Sequence, residues 1–136
     1  MKVKLQDILD AMEMVNPYDE YFLDKETGEF EYVSEMMMTR AEREEVFERL
    51  DEHGFYRLPN SFEIRDYDIM EEFIAGMPEG VRGRMYQVIQ GRGTFGRFRD
   101  MIQKMGIESV WYDFRDSAYK RAAIRWCEEN GINYTE

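Results

Sequence analysis

The sequence predicts an α+β fold, namely one mostly helical domain over residues 1–136 with five to six helices and a small antiparallel β-hairpin or sheet near the N-terminus. Apolar residues recur at spacings of three and four in several segments, which is typical of amphipathic helices. Two short aromatic runs joined by a glycine-containing turn indicate the hairpin. With 43% hydrophobic and 15% aromatic residues, a chain of 136 residues has the material for one core.

The hairpin is predicted from residues 20–24 and 29–33, where aromatic and polar side chains alternate. Gly28 closes the turn between them, because glycine readily adopts a positive φ. An isolated two-stranded hairpin is only marginally stable in water. We therefore expect the hairpin to pack on the helices or to gain a third strand, for which residues 55–58 are the candidate.

The helices are predicted from apolar stripes together with residues that cap helix ends. The predicted helices are residues 4–15, stopped by Asn16-Pro17; one opened by the capping box of Thr39 and Glu42 and ended by Gly54; one capped by Asp66; one from Pro78 to Gln90; one capped by Thr94 and ended by Gly106; and one from about Glu108 to Asn130. Residues placed on the inward stripes include Phe47, Phe95, Phe98, Ile102 and Met105.

Charge is distributed unevenly along the chain, whose formal net charge is −11. Residues 1–80 hold 8 basic and 22 acidic residues, a net of −14, whereas residues 81–126 hold 10 basic and 4 acidic residues, a net of +6. Either the two stretches neutralise each other within the fold, or the basic stretch serves an anionic partner. We favour internal neutralisation.

The sequence favours a cytoplasmic location and no association with membranes. No apolar run approaches the roughly 18 residues that span a bilayer, and acidic residues interrupt the N-terminal segment where a secretory signal would be apolar. Cys127 is the one cysteine, so it has no partner for an internal disulfide, which fits a reducing compartment.

Three segments carry a resemblance to a known family. They are Leu23-Asp24 with Thr27-Gly28-Glu29; the segment GRGTFGRFRD at residues 91–100; and Trp111-x-x-Phe114-Arg115-Asp116 followed by Ala122, Trp126 and Gly131-Ile132. In this order they resemble a small family of uncharacterised bacterial proteins. The resemblance implies a bacterial, cytoplasmic protein, and it implies no catalytic residue, ligand or cofactor.

The segment 91–100 also invites a nucleotide-binding interpretation, because it combines three glycines with three arginines. A glycine-rich phosphate loop follows a buried strand, whereas the residues before Gly91 have helical periodicity. A tight helix–helix turn is therefore the favoured interpretation. Should this stretch bind an anion, the candidate binding residues are Arg84, Arg92, Phe95, Arg97, Arg99, Trp111, Arg115 and Arg125.

Two of these arginines are predicted to lie on the apolar sector of the last helix, beside Trp111, Phe114 and Trp126. A guanidinium on such a face must be paired, stacked on a ring or extended to solvent. We favour internal pairing of Arg115 and Arg125, with Asp24, Glu29, Asp66 or Asp68 as the partners. A docking site for a partner's carboxylate or phosphate is the alternative.

The usual catalytic constellations are missing from the sequence, so it favours no cofactor, no metal and no enzymatic activity. His53 is the one histidine and has no nucleophile near it in sequence. Asp66, Asp68, Glu71 and Glu72 are the densest group of carboxylates, which helix capping and solvation explain without a metal. Met36, Met37 and Met38 indicate core contacts or, if exposed, a protein-binding patch.

Three functions are left open. The first is a non-enzymatic, cytoplasmic protein-binding or regulatory module, whose acidic surface could inhibit a basic, nucleic-acid-binding partner. The second is nucleic-acid or nucleotide binding through the Arg/aromatic block 82–125, with Phe95, Trp111 or Tyr112 stacking on bases. The third is a divalent-metal-dependent phosphohydrolase that uses the four carboxylates between Asp66 and Glu72.

Overall fold

A computed structural model describes residues 2–14, 16, 18–59 and 63–136. Within this part of the chain the α+β class and the small antiparallel sheet near the N-terminus are confirmed. The helices are α1 (Leu5–Met14), α2 (Arg40–His53), α3 (Asp66–Ala75), α4 (Glu79–Val88), α5 (Thr94–Met105) and α6 (Glu108–Asn130), and the strands are β1 (Lys2–Lys4), β2 (Asp19–Asp24), β3 (Phe30–Ser34), β4 (Phe55–Arg57) and β5 (Asn133–Thr135). Val15 and Pro17, predicted at the end of the first helix, lie outside the described residues.

The chain divides into two compact units. Unit 1 comprises residues 1–64 and 119–136, and unit 2 comprises residues 65–118. Helix α6 belongs to both, since residues 108–118 lie in unit 2 and residues 119–130 in unit 1. That residues 1–136 form one domain stays a prediction.

The main sheet of unit 1 has the strand order β3-β2-β4, with both pairings antiparallel. β4 is the predicted third strand, and it pairs Leu23 with Tyr56. On the inner face the Phe22 ring meets the Phe55 ring edge-on, with centroids 5.4 Å apart. Trp126 of α6 donates a 2.9 Å hydrogen bond from Nε1 to the Arg57 carbonyl. The third strand and the helix thus give the hairpin the apolar cover that it lacks in isolation.

A second, two-stranded parallel sheet joins β1 to β5, with Val3 opposite Tyr134. The sequence analysis did not predict it. Three-residue strands are too short to show an alternating pattern, and their partners lie at opposite ends of the chain. Val3 and Ile132 are nevertheless both buried, so this pairing adds to the core of unit 1.

The core of unit 2 is built from α3, α4 and α5. Its fully buried members are Met70, Phe73, Ile74, Met85, Ile89, Phe98 and Ile102. The predicted stripes of these helices are confirmed at those positions. At Phe95 and Met105 the inward prediction is wrong, because these side chains are 53% and 38% exposed. Phe47 of α2 in unit 1 is likewise 36% exposed, so the apolar stripes there are narrower than the sequence indicated.

The predicted C-caps at Gly54 and Gly106 are confirmed, and of the three predicted N-caps one is confirmed and two are wrong. Thr39 Oγ1 accepts from the Glu42 N–H at 3.1 Å, and the Glu42 carboxylate accepts from the Thr39 N–H at 3.0 Å, which completes the capping box. Asp66 is not an N-cap, since α3 begins at Asp66 with Arg65 before it. Gly93 precedes α5 with a φ of 72°, and the Thr94 hydroxyl donates backwards to the Ile89 carbonyl at 3.1 Å instead of capping.

Asp24 is a carboxylate buried at the end of β2, with 1% of the residue exposed. Its Oδ1 accepts from the N–H groups of Glu26 at 2.8 Å and Thr27 at 3.0 Å. Its Oδ2 lies 2.8 Å from Nδ1 of His53, the last residue of α2. The carboxylate therefore fixes the hairpin turn and ties that turn to the end of α2.

These contacts move two pKa values in opposite directions. Burial alone would raise the pKa of Asp24, but the hydrogen bonds from Thr27, His53 and Glu26 outweigh it and lower that pKa. The hydrogen bond to Asp24 raises the pKa of His53, and the charges of Asp24 and Glu26 add to this effect. The contact therefore favours the carboxylate form of Asp24 and the imidazolium form of His53.

The pair gives the free energy of unfolding a defined pH dependence. Because the pKa of His53 is raised on folding, its stabilisation is complete below about pH 6.5 and is lost as the pH rises through the raised value. Because the pKa of Asp24 is lowered, its stabilisation is complete above about pH 3.9 and is lost as the pH falls through the lowered value. We expect urea titrations to show the free energy of unfolding falling as the pH rises from about 6.5 through the raised pKa of His53.

The His53→Gln variant is the matched control, because glutamine keeps a hydrogen-bond donor and does not titrate. In this variant we expect the fall above about pH 6.5 to disappear. A fall of undiminished size in His53→Gln would show that other groups cause it.

Asp24→Ala should lower the free energy of unfolding by about 2 kcal/mol or more at neutral pH, since it leaves the Glu26 and Thr27 N–H groups without their acceptor.

The capping box of α2 provides a second test of the fold. Thr39→Ala removes the oxygen that accepts from the Glu42 N–H, and we expect it to lower the free energy of unfolding by about 1 kcal/mol. Thr39→Ser keeps that oxygen and should stay within about 0.5 kcal/mol of the parent protein. Equal losses in the two variants, measured by urea denaturation, would contradict the cap.

Candidate binding sites

Four of the eight candidate binding residues meet around one cavity in unit 2. They are Phe95 and Arg99 of α5 and Trp111 and Arg115 of α6. The cavity has a volume of about 160 Å³, and its remaining lining residues are Asp66, Met70, Phe98 and Tyr112. We call it the unit-2 cavity.

Aromatic residues make up four of the eight residues that line the unit-2 cavity. The rings of Phe98 and Trp111 meet edge-on with centroids 4.8 Å apart, and Trp111 also packs on Phe73 at 5.3 Å. These contacts anchor the inner wall in the core. Phe95 and Tyr112, by contrast, are 53% and 52% exposed, so their ring faces are available to a ligand at the rim.

Two guanidinium groups give the cavity its charge. Arg115 Nη2 lies 3.9 Å from Asp66 Oδ2, so the predicted internal pairing of Arg115 is observed, and it joins the acidic stretch to the basic one. Arg99 is exposed, and no carboxylate in the described part of the chain lies within 4.0 Å of it. The cavity therefore combines one neutralised arginine with one arginine that offers its charge to a ligand.

The other four candidates do not line this cavity. The Arg97 guanidinium donates to the Val88 carbonyl at 3.0 Å and to the carbonyls of Gln90 and Arg92. It thereby closes the turn between α4 and α5. Arg84, Arg92 and Arg125 are exposed, so Arg125 extends to solvent, and its predicted internal pairing stays a prediction.

The glycine-rich segment forms a helix–helix turn, as the favoured interpretation expected. α4 ends at Val88 and α5 begins at Thr94, and Gly91 and Gly93 have φ values of 76° and 72°. Only glycine adopts this backbone conformation at little cost. Because a helix and not a strand precedes it, the segment lacks the context of a dinucleotide-binding loop.

A second surface lies on unit 1 at the turn after β3. Met36 and Met37 are 73% and 79% exposed, so these two methionines do not lie in the core, whereas Met38 is half-buried. A cavity lined by Tyr18, Glu20, Val33, Glu35, Arg43 and Phe47 adjoins them, since Glu35 directly precedes Met36. We call Met36, Met37 and this cavity the methionine face. Apart from the methionines, the sequence analysis missed its members, because strand pairing and helix packing bring them together.

The residues considered for catalysis do not converge. Within the described ranges, no three His, Cys, Asp or Glu side chains are placed to hold a metal ion, and Asp68 pairs with Arg65 at 3.3 Å. Cys127 is fully buried, and burial followed by the charge of Glu128 raises its pKa. A thiol in that state is a poor nucleophile. His53, whose pairing with Asp24 sequence reasoning missed, is engaged in the fold.

The helices and sheets define an α+β protein, and its described residues line the unit-2 cavity and the cavity of the methionine face. The chain belongs to the uncharacterised protein family UPF0158, whose sequence model matches residues 1–136. This confirms the resemblance to an uncharacterised family. No curated protein matches the chain, and no solved structure matches it. None of the helices in the described ranges has the length and apolar character that crossing a bilayer requires.

Arg97 and Arg92 should behave differently when they are replaced. Arg97→Ala removes three hydrogen bonds to the carbonyls of the α4–α5 turn, and we expect the free energy of unfolding to fall by about 1 kcal/mol. Arg92→Ala removes an exposed side chain from the same turn and should change the free energy of unfolding by less than about 0.5 kcal/mol. Equal changes in urea denaturation would contradict the structural role of Arg97.

Proposed function

We propose that the protein is a non-enzymatic, cytoplasmic protein-binding module whose methionine face docks a basic segment of a partner protein. The exposure of Met36 and Met37 is the observation that carries this proposal. Methionine is flexible and polarisable, and it is common at surfaces that accept varied apolar partners. Two adjacent exposed methionines beside a cavity that also presents Tyr18, Val33 and Phe47 are typical of an interaction site.

The backbone of the turn supports the proposal, because hydrogen bonds hold it in place. The Arg43 guanidinium donates to the carbonyls of Met38 at 2.9 Å and Glu35 at 3.3 Å. Ser34 Oγ accepts from the Met37 N–H at 3.1 Å. Since the turn is already ordered, a partner that binds there loses little conformational entropy in ordering it.

The charge of unit 1 supports a basic partner. Unit 1 holds 10 basic and 20 acidic residues, whereas unit 2 holds 8 and 9. Glu20 and Glu35 line the cavity itself. α2 adds exposed carboxylates at Glu42, Glu44, Glu45, Glu48, Asp51 and Glu52. Such a surface attracts basic proteins and suits the hypothesis of an inhibitor that occupies the nucleic-acid-binding surface of its partner.

The two alternatives have different support. Nucleic-acid binding along the whole Arg/aromatic block has little support. The Arg97 guanidinium is hydrogen-bonded to backbone carbonyls of the α4–α5 turn, and unit 2 has a net charge of −1. Nucleotide binding keeps one specific observation, the unit-2 cavity. The phosphohydrolase has none, because Asp66 and Asp68 are each paired with an arginine.

The methionine face can be tested by comparative affinity capture from a bacterial lysate. We expect the parent chain to capture a protein with a basic segment. The amount of this protein that the double variant Met36→Ser/Met37→Ser captures should be lower by about tenfold or more. Binding should weaken at about 0.5 M salt, where the Debye length is short.

Met105→Ser is the matched control, since Met105 is an exposed methionine on unit 2 and its replacement should leave capture unchanged. Retention of every captured protein by the double variant, with circular dichroism confirming that it is folded, would overturn the proposal. Capture that is insensitive to salt would refute the electrostatic part.

A further inference from the structure

We infer that the basic segment of the partner binds as an extended strand along β3 and so adds a fourth strand to the main sheet of unit 1. This inference rests on the proposed function, because it states how the partner of the methionine face is held. In the strand order β3-β2-β4, the side of β3 that faces away from β2 has no neighbouring strand among the described residues. We call this side the outer edge of β3.

The hydrogen bonds between β2 and β3 define which backbone groups form the outer edge. The Asp24 N–H donates to the Glu29 carbonyl at 2.9 Å. The Glu35 N–H donates to the Tyr18 carbonyl at 3.3 Å. In an antiparallel pair, residues whose backbone groups bond to the other strand alternate with residues whose groups point away from it. The residues of β3 that point outwards are therefore Phe30, Tyr32 and Ser34.

Met38 occupies one end of the outer edge and leaves the rest open. Its N–H donates to the Ser34 carbonyl at 3.2 Å, and its Sδ accepts from the Ser34 N–H at 3.4 Å. In the described part of the chain, no strand, turn or side chain pairs with the outward N–H and C=O groups of Phe30 and Tyr32. Tyr32 is 48% exposed, so solvent reaches the edge there. Such a row of donors and acceptors is what an extended peptide pairs with when it adds a strand.

The opposite edge of the sheet is shorter and partly covered. β4, which forms it, has three residues. The Lys25 N–H donates to the Gly54 carbonyl at 2.9 Å, so by the same alternation Phe55 and Arg57 point outwards. The Arg57 carbonyl already accepts the 2.9 Å hydrogen bond from the Trp126 indole. An added strand therefore finds more open backbone groups beside β3 than beside β4.

One face of β3 carries negative charge. Residues 29, 31, 33 and 35 alternate onto the face that packs on α2, because Glu31 lies opposite Phe22 and Phe22 contacts Phe47 of α2. The Glu31 carboxylate pairs with Arg49. Glu29 and Glu35 are exposed, and no basic nitrogen in the described ranges lies within 4.0 Å of either carboxylate. Their charge is available to a basic strand.

The other face of β3 carries aromatic rings. Phe30 and Tyr32 alternate onto it, and the Tyr32 ring stacks on the Tyr21 ring with centroids 5.9 Å apart. A strand beside β3 presents every second side chain to each face of the sheet. We therefore expect the segment to alternate basic residues, which meet the exposed carboxylates, with apolar residues, which meet the rings.

A second copy of the chain suits the outer edge less well than a basic strand. Antiparallel pairing centred on Tyr32 would place Glu29 of one copy opposite Glu35 of the other. Pairing centred on Glu31 would place the two Glu31 carboxylates opposite each other. Like charges in these positions are destabilising, and each copy carries a net charge of −11.

The first test is amide hydrogen exchange of the full chain, followed by NMR. In the free protein we expect the N–H groups of Phe30 and Tyr32 to exchange about tenfold or more faster than those of Glu31 and Val33, which bond to β2. The peptide acetyl-KVRYKVR-amide at about 2 mM should slow exchange at Phe30 and Tyr32 about fivefold and leave Glu31 and Val33 unchanged. The peptide acetyl-KKRRVVY-amide, which has the same composition without the alternation, is the matched control and should slow neither.

Three results would overturn the inference. The first is unchanged exchange of Phe30 and Tyr32 with the alternating peptide. The second is strong protection of these two N–H groups in the dilute free protein. The third is protection that appears without peptide as the protein is concentrated, which would identify a second copy as the occupant.

Peptides methylated on alternate backbone nitrogens test the pairing with the unmodified protein. In an added strand the N–H groups of alternate residues point towards β3, and the others point to solvent. Methylation of one alternate set should therefore weaken binding about tenfold or more, and methylation of the other set by about threefold or less. Equal effects of the two sets would contradict strand addition.

A variant of β3 tests the same bonds from the side of the protein. Tyr32→Pro removes an outward N–H that the pairing with β2 does not use, a position at which an edge strand tolerates proline. We expect it to weaken binding of the alternating peptide about tenfold. Tyr32→Ala also loses the ring but keeps the N–H, and it should weaken binding by about threefold or less. Equal binding by the two variants, both folded by circular dichroism, would refute the pairing.

The charge of the edge has its own pair of variants. Glu29→Gln/Glu35→Gln should weaken the alternating peptide about fivefold, since both carboxylates face the added strand. Glu71→Gln/Glu72→Gln removes two exposed carboxylates of α3 in unit 2 and should leave the affinity unchanged. Equal affinities of the two double variants would refute the selection of basic residues.

Affinity capture separates failure of this inference from failure of the proposed function. Loss of the captured protein in Met36→Ser/Met37→Ser but not in Tyr32→Pro would mean that the methionine face docks its partner without an added strand, and would overturn the inference alone. Loss in Tyr32→Pro but not in the methionine variant would support strand addition and overturn the role of the methionines.

Discussion

The buried carboxylate of Asp24 is the constraint on which unit 1 depends. A charge that is 1% exposed is tolerated only when hydrogen bonds replace its water. Here two backbone N–H groups and the His53 imidazole supply them, so the turn after β2 can form only where the end of α2 arrives. Gly54 then lets the chain reverse into β4, and the Lys25 N–H donates to its carbonyl at 2.9 Å. One polar cluster thus sets the register of the three-stranded sheet.

The methionine face is a consequence of this arrangement. β3 is held against β2 with both Val33 and Ser34 buried, on opposite faces of the sheet, and the chain must then cross to the start of α2. Hydrogen bonds to the Ser34 hydroxyl and from the Arg43 guanidinium hold the backbone of this turn. The side chains of Met36 and Met37 remain exposed. Exposed apolar side chains on an ordered backbone are the structural basis of the proposed protein-binding role.

Unit 2 differs from unit 1 in that its core is apolar and its polar groups lie at the rim of the unit-2 cavity. Aromatic side chains from α3, α5 and α6 interlock around Phe73 and Phe98. The rings that this cluster cannot cover, Phe95 and Tyr112, stand beside Arg99 and the Asp66–Arg115 pair. The result is a small cavity lined by aromatic, cationic and anionic side chains.

The sequence by itself determined the helices, the hairpin and the capping box, because periodicity, turn residues and caps act over a few residues of chain. It also singled out Phe95, Arg99, Trp111 and Arg115 by type, and Asp66 as a partner for Arg115. Only the tertiary structure decided that these residues share a cavity, that Arg97 serves a turn, and that Asp24 meets His53. The short β1 and β5 strands and the exposure of Met36 were decided in the same way. The cavity, the Asp24–His53 contact and the β1–β5 pairing depend on contacts between residues far apart in the chain, which carry no local signal in the sequence. The contacts of Arg97 are nearer, five to nine residues back, but no periodicity or capping pattern marks them.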